Sequence, residues 1–398
     1  MANKSKRQTA ELGQFIIGQP ELWSGNAEPL SLPSTGKEAE APYSSVLQGK
    51  PLHGLIASST AHDSIQLNAV THEGTMQSEG VLITIDEEAI QDISAQTFKV
   101  LILLLTAATI QLPRENAITA EAINKGRKVQ IPLAKYMEAC RIKDAKEART
   151  QLNEAIKALY AVSLEWDEVV YEKPNGKSRK VKTTKHHRMR ISDHTITQEE
   201  GNPVKRGVAE FRLSFDMAEY LSGSYIMPYP DALLSINTHY HPYSIPLGWK
   251  LCTLQNMNFG TARANTTTVN TLLSAAKGIP RYSALALRGN IYDRLIYPFD
   301  RDLAALVEAG VLSTYWYYDD SGARIDGGSY KGGKYTESSK LGLLSYTEFS
   351  PLYIHYELKN YPDQTPRLEA KSKRIKAAIS RRKNAAKKKA EENGDGAQ

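Results

Sequence analysis

The sequence predicts a mainly α, α+β fold, and three observations carry that expectation. Apolar residues recur at helical spacing in several separate segments. Each half of the ordered region closes its run of helices with a β-prone, alternating stretch. Turn and capping residues fall between these segments where helices and hairpins need them. The chain has 398 residues, is 24% charged and 41% hydrophobic. That is an ordinary globular composition, with room for two domains and flanking arms.

Order is expected from Val81. Val81–Asp86 alternates as a short strand. A helix follows through Ser94 to about Ile110, apolar over most of its surface and therefore central. Its run from Phe98 to Ile110 is interrupted by Lys99 and too short to span a bilayer. Val129–Ile131 reads as extended, and Pro132 suits the start of a helix running to Cys140. After the turn Arg141-Ile142-Lys143, Asp144 is a good N-cap, and Glu147 completes a capping box. The following helix, Ala145–Tyr160, lines up Ala148, Leu152, Ala155, Ile156 and Leu159 on one stripe. Helix, short turn and second helix is the helix-turn-helix pattern. Val162–Tyr171 then reads as a strand, Pro174-Asn175-Gly176-Lys177 as a hairpin turn, and His187–Ile191 as the return. Ala209–Phe215 alternates as a further strand. A helix-turn-helix followed by a hairpin is a winged helix.

The second half repeats this order. Ser244–Asn258 is a helix, and Asn265 or Thr266 caps a second through Ala276. A third runs from about Leu285 to Ala309 with a kink at Pro298, ended by Gly310. Val311–Tyr318 and Leu352–Leu358 form a second hairpin, with a Gly-rich insertion from Gly327 to Lys334 between them. The expected organisation is a disordered N-terminal arm over 1–79, a first winged helix over 80–216 with its wing at 171–190, a second over 217–360, and a basic tail over 361–398.

Charge is unevenly placed. The formal net charge is only +6. Yet Arg367–Lys389 holds eleven Lys or Arg against Glu369 alone, and Tyr171–Arg190 holds eight against Glu172 alone. The remainder of the chain is net acidic. Two concentrated basic segments suit a polyanion, because each phosphate neutralised releases a counterion. The bland alternative is a solubilising tail and a solvated hairpin.

Double-stranded DNA is therefore the expected partner. On the helix after the first turn, Lys143, Lys146, Arg149, Thr150, Asn153 and Lys157 share an outward side. Arg can read guanine, Asn adenine, and Lys mainly phosphate. An ordinary solvated helix face is the competing reading. The wing residues Lys177, Arg179, Lys180, Lys182, Lys185 and Arg188 would add affinity along the phosphates. In the second half the corresponding candidates are Arg263, Asn265, Lys277, Arg281, Arg288, Asn290 and Arg294.

The tandem units resemble the theta-type plasmid replication initiator (Rep) proteins. One similar stretch is Val129-Gln130-Ile131-Pro132-Leu133 leading into Lys143-Asp144-Ala145-Lys146-Glu147-Ala148-Arg149 and on to Leu159-Tyr160. The other is Tyr297-Pro298-Phe299-Asp300-Arg301-Asp302-Leu303, continuing through Leu306 to Gly310-Val311-Leu312. The resemblance spans roughly Val81 to Leu358. It implies binding to direct repeats at an origin, recruitment of a host initiator and helicase, and a homodimeric form that represses its own gene. The long N-terminal arm and the basic tail depart from the family.

No catalysis, cofactor or metal is expected. Two cysteines, Cys140 and Cys252, leave no scope for a disulfide scaffold or a multi-thiolate zinc site, and read as buried thiols of a cytoplasmic, bacterial protein. The N-terminus carries no apolar signal core, and no membrane association is expected. A transcriptional repressor or partition protein would use the same units. A metal-dependent nicking enzyme is the third reading. It rests on Thr238-His239-Tyr240-His241-Pro242, where two histidines alternate as metal ligands would on a strand, although the neighbouring prolines make this a loop.

Overall fold

The computed structural model describes residues 43–365, apart from 49, 58–65, 69–72, 79, 115–116, 173–180, 194–203, 206, 262, 281–284, 286–291, 319–321, 323, 326–351 and 364. In chain order the first part runs β1 (Tyr43–Gln48), α1 (Lys50–Ala57), β2 (Gln66–Asn68), β3 (Glu73–Ser78), β4 (Val81–Asp86), α2 (Ala95–Gln111), α3 (Ala120–Gly126) and β5 (Lys128–Pro132). It continues with α4 (Leu133–Cys140), α5 (Ala145–Tyr160), β6 (Val162–Glu172), β7 (Val181–Arg190), β8 (Val204–Lys205), β9 (Val208–Arg212) and α6 (Phe215–Ser222). Then come β10 (Tyr225–Pro230), α7 (Ser244–Asn258), β11 (Thr266–Thr268), α8 (Val269–Ala275), α9 (Tyr297–Glu308), β12 (Leu312–Tyr318), β13 (Arg324–Ile325) and β14 (Tyr353–Leu358).

The strands form sheets ordered β2-β3-β4-β6-β7, β11-β14-β12-β13, β5-β9-β8 and β1-β10. The protein is thus mixed α/β, which corrects the mainly α expectation. Helix α2 is the centre. It is buried from Thr97 to Thr109, with β1, β5, α4, α5 and α7 packed around it. Its start is set by Ser94, whose hydroxyl accepts the Thr97 N–H while the Thr97 hydroxyl accepts the Ser94 N–H.

Several boundaries match the sequence reading, including β4, α5 and α7. Others differ for identifiable reasons. Phe215 does not extend a strand, because Ser214 caps a helix there by accepting the Met217 N–H. The cap of α8 is Thr268, since Thr266 and Thr267 are drawn into pairing with β14. Pro298 does not kink a long helix but lies in the first turn of α9, after a π turn over Tyr292–Ile296.

Two corrections alter the organisation. The hairpin β6–β7, expected as the first wing, pairs with β4, whereas β5 pairs with β9. The hairpin after α5 therefore belongs to a separate sheet. The expected disordered arm is ordered from Tyr43, and residues 1–42 lie outside the described residues. Strand β1 pairs with β10 from Tyr43↔Pro230 to Gln48↔Tyr225. Helix α1 buries Leu52, Leu55 and Ile56 and packs against both β4 and α7. Trp249 Nε1 of α7 donates to His53 Nδ1 at 2.9 Å. The few apolar residues of this segment are diluted by Gly, Ser and His. Composition alone therefore reads as an arm, and burial comes only from partners remote in the chain.

Two expected outcomes follow. Gly to Ala normally stabilises a helix interior, but at Gly54 of α1 a Cβ would lie 2.7 Å from the Ser78 carbonyl oxygen and 2.8 Å from Val81. Gly54→Ala should instead cost about 1–3 kcal/mol by thermal or urea denaturation. The second concerns Asp231, which accepts the Ser44 hydroxyl of β1. Burial pushes its carboxyl up to about 7, against the Ser44 hydrogen bond. The folded state then holds this proton more tightly than the unfolded chain, so stability falls as pH rises from about 4 to about 7. Asp231→Asn should flatten that window and raise the melting temperature more at pH 8 than at pH 5.

Candidate nucleic-acid interface

The turn between α4 and α5 is built by local backbone chemistry. Arg141 adopts a left-handed conformation (φ 54°), and its N–H returns to the Glu138 and Met137 carbonyls. The Asp144 carboxylate accepts the N–H groups of Lys146 (2.7 Å) and Glu147 (3.3 Å), so the N-cap forms as read from the sequence. The capping box does not close, since Glu147 instead accepts the Gln151 amide at 2.9 Å. Tyr136 of α4 donates to Gln151 Oε1 at 3.2 Å and ties the two helices together. The inner stripe of Ala148, Leu152, Ala155, Ile156 and Leu159 is buried.

The outer side of α5 and its turn presents Lys143, Lys146, Arg149, Thr150 and Lys157, all exposed. Lys146 to Lys157 spans about 16 Å at 1.5 Å per residue. Among the described residues none of these four cations has an ion-pair partner, whereas Lys128, Lys135 and Arg188 are paired with Glu210, Glu138 and Glu165. Asn153 is the exception on this side. It is buried, and its Oδ1 accepts the Val204 N–H of β8 at 2.9 Å. Helical spacing put it beside Arg149 and Thr150, but β8 crosses the helix there and removes it from any groove.

In the hairpin, Lys177, Arg179 and Lys180 lie outside the described residues. Lys182 and Lys185 are exposed on β7. Arg188 is engaged with Glu165 at 2.9 Å, and His186 Nδ1 lies 3.0 Å from Asp167. Counting charge along the sequence from Tyr171 missed the β6 carboxylates that register places opposite β7. The signal was available in the acidic residues Glu165, Asp167 and Glu168, which the register sets opposite Arg188, His186 and Lys185.

In the second half Arg263 and Arg294 are exposed, and Arg281, Arg288 and Asn290 lie outside the described residues. Asn265 is left-handed (φ 63°), and its carbonyl accepts the Tyr356 N–H at 2.9 Å. Lys277 donates to the Gln77 carbonyl of β3, so its ammonium ties the second half to the first sheet. The described ones, Arg263, Asn265, Lys277 and Arg294, do not share one helix face as those of α5 do.

Other titratable groups serve the fold. Lys99, in the second turn of α2, is buried and donates to the Ile236 carbonyl at 2.5 Å, and burial holds its ammonium below the usual lysine range. Burial pushes the Cys140 thiol up to about 11, and Cys252 higher still. His241 Nδ1 lies 3.6 Å from the buried Asp302 carboxylate, which also receives the Tyr243 N–H and the Arg301 guanidinium. His239 is exposed, edge-on to Tyr240. Among the described residues no group of three or more His, Cys, Asp or Glu side chains is gathered as metal ligands, and no helix is long and apolar enough to cross a membrane.

The contact made by Asn153 separates a structural from a reading role. Asn153→Ala leaves the buried Val204 N–H without its acceptor. It should lower stability by about 1–3 kcal/mol in denaturant unfolding while leaving any base preference of the folded protein unchanged.

No family model matches the chain, and no curated protein matches it. Among solved structures it is similar to two crystal structures of RctB domains 2 and 3. A selenomethionine form is 11% identical, with 76% of this chain and 98% of that chain covered and a TM-score of 0.38. A second structure of the same domains is 10% identical, with 75% and 96% covered and a TM-score of 0.34. Likeness at this level assigns neither family nor activity.

Proposed function

We propose that the chain binds double-stranded DNA sequence-specifically and acts as the replication initiator of a plasmid or related mobile element. The carrying observation is the outer side of α5 and the turn before it: Lys146, Arg149 and Lys157 on the helix and Lys143 in the turn have no ion-pair partner among the described residues. A cation already paired must break that pair to meet a phosphate, and these need not. Arg149 and Thr150 reach base edges, and Lys143, Lys146 and Lys157 hold the backbone. The hairpin contributes through Lys182 toward its tip, while its base is charge-balanced.

A second unit on the same chain supports an initiator over a single-site repressor. There α7, β11, α8 and α9 precede the strands β12 and β14, and β14 lies between β11 and β12. We read this strand order as a second winged helix, and two DNA-binding units on one chain would engage two neighbouring DNA segments at once. Direct origin repeats match two such units in tandem. Catalysis is not part of this reading: the protein works by differential binding and by deforming its site. A host initiator and helicase are its expected partners.

Selection from random duplexes tests the reading. Enrichment of same-orientation repeats supports the initiator, an inverted repeat favours a repressor, and no enrichment overturns sequence-specific binding. On the selected site, Arg149→Ala should cost about 1–3 kcal/mol and relax one base position. Lys157→Ala should weaken all sequences alike and reduce the salt slope by about one.

A further inference from the structure

Arg141, the first residue after α4, sits at a φ of 54°. Glycine fills that left-handed position at a helix end most easily, and a β-carbon there is strained. Its guanidinium is exposed and has no ion-pair or hydrogen-bond partner among the described residues, so no contact of the side chain offsets the strain. Strain of this kind collects at functional sites. A cleft of about 580 Å³ opens beside Arg141. The turn Arg141–Lys143, the flank of α5, the start of α2 and the segment Asn237–Tyr240 before α7 line it. Tyr240 is 64% exposed, and His239 is exposed and edge-on to it. Neither the Tyr240 hydroxyl nor the His239 ring is hydrogen-bonded among the described residues. The segment that carries them is nonetheless fixed. Asn237 accepts the His239 N–H on its side chain and the His241 N–H on its carbonyl, both at 3.0 Å. The Thr238 hydroxyl donates to Gln96 Oε1 at 3.4 Å, the Gln96 amide donates to the Tyr136 hydroxyl, and Tyr136 donates to Gln151 of α5 at 3.2 Å. Directional bonds therefore register this segment against α5.

A guanidinium, a phenol hydroxyl and an imidazole N–H are all donors, and phosphate oxygens are their common acceptor. A recognition helix enters the major groove by its first turns, so groups around the start of α5 border the strand beside that groove. Glu147 and Glu154 line the α5 side of the cleft. A phosphate is therefore held at the mouth, by the turn and the facing segment, and is not drawn inside. We propose that Arg141, Tyr240 and His239 form a second DNA contact, a clamp on the phosphate strand that borders the groove entered by α5. Arg141 supplies the charge, and Tyr240 and His239 supply direction. Contacts of this kind fix register without reading bases. The inference rests on the duplex reading and adds residues to it that the helical spacing of α5 does not reach.

The test measures affinity of the full chain across a salt series, by fluorescence anisotropy, on the selected site and on a mixed-sequence duplex. Arg141→Gly relieves the strained backbone and removes the cation. Its melting temperature should hold or rise, while both duplexes bind about tenfold more weakly and the salt slope falls by about one. Tyr240→Phe keeps the exposed ring and removes only the hydroxyl, and it should weaken both duplexes about threefold. Ethylation of phosphates flanking the selected site should interfere with wild-type and Arg149→Ala binding, and no longer with Arg141→Gly. If Arg149→Ala weakens binding but Arg141→Gly and Tyr240→Phe do not, the clamp is overturned and the α5 reading stands. If none of the three weakens binding, the duplex reading itself falls and the clamp with it. A lower melting temperature in Arg141→Gly with an unchanged salt slope assigns Arg141 to the fold and also overturns the proposal.

Discussion

The structure depends on burying α2. A helix that is apolar on nearly all sides cannot lie on a surface; it must be enclosed, and every enclosing element is thereby positioned. Strand β5 and helices α4 and α5 pack on it from the first half, and β1 and α7 from elsewhere in the chain. Lys99 sits inside this shell with its ammonium on the Ile236 carbonyl. That bond adds a directional constraint to a non-directional one. It holds the loop before α7 against α2, because withdrawing the carbonyl would leave a buried cation unpaired.

The candidate DNA surface is a product of this enclosure. The inner stripe of α5 is committed to the core, so its opposite side must face outward. The Asp144 cap and the left-handed Arg141 set where that helix begins and how it leaves α4. Among the described residues the cations on the outer side have no ion-pair partner, and the two carboxylates of the first turn are engaged elsewhere. Asp144 serves the backbone and Glu147 serves Gln151. The hairpin shows the opposite outcome. Cross-strand register sets Glu165 against Arg188, and a segment that looks strongly basic in the sequence is balanced at its base.

The N-terminal segment shows that the two halves are not separate beads. Strand β1 pairs with β10 and α1 wedges between β4 and α7, so residues far apart in sequence share one interior. Lys277 adds a polar tie from the second half to β3. The spacing between the two units is therefore set by packed elements rather than by a linker, and half-sites on DNA would have to match it.

Local physics made much of this legible in the sequence. Periodicity located α2, α5 and α7, capping chemistry located the start of α5, and β-prone alternation located β4, β12 and β14. Each depends only on residues within a few positions of one another. The identity of Lys146, Arg149, Thr150 and Lys157 as outward residues followed from the same spacing. Tertiary structure decided the rest. Whether Asn153 faced solvent depended on β8, some fifty residues later. Whether Arg188 was free depended on a strand register, and whether residues from Tyr43 were ordered depended on β10. Contacts of that kind are selected by what else must be buried, and no local pattern encodes them.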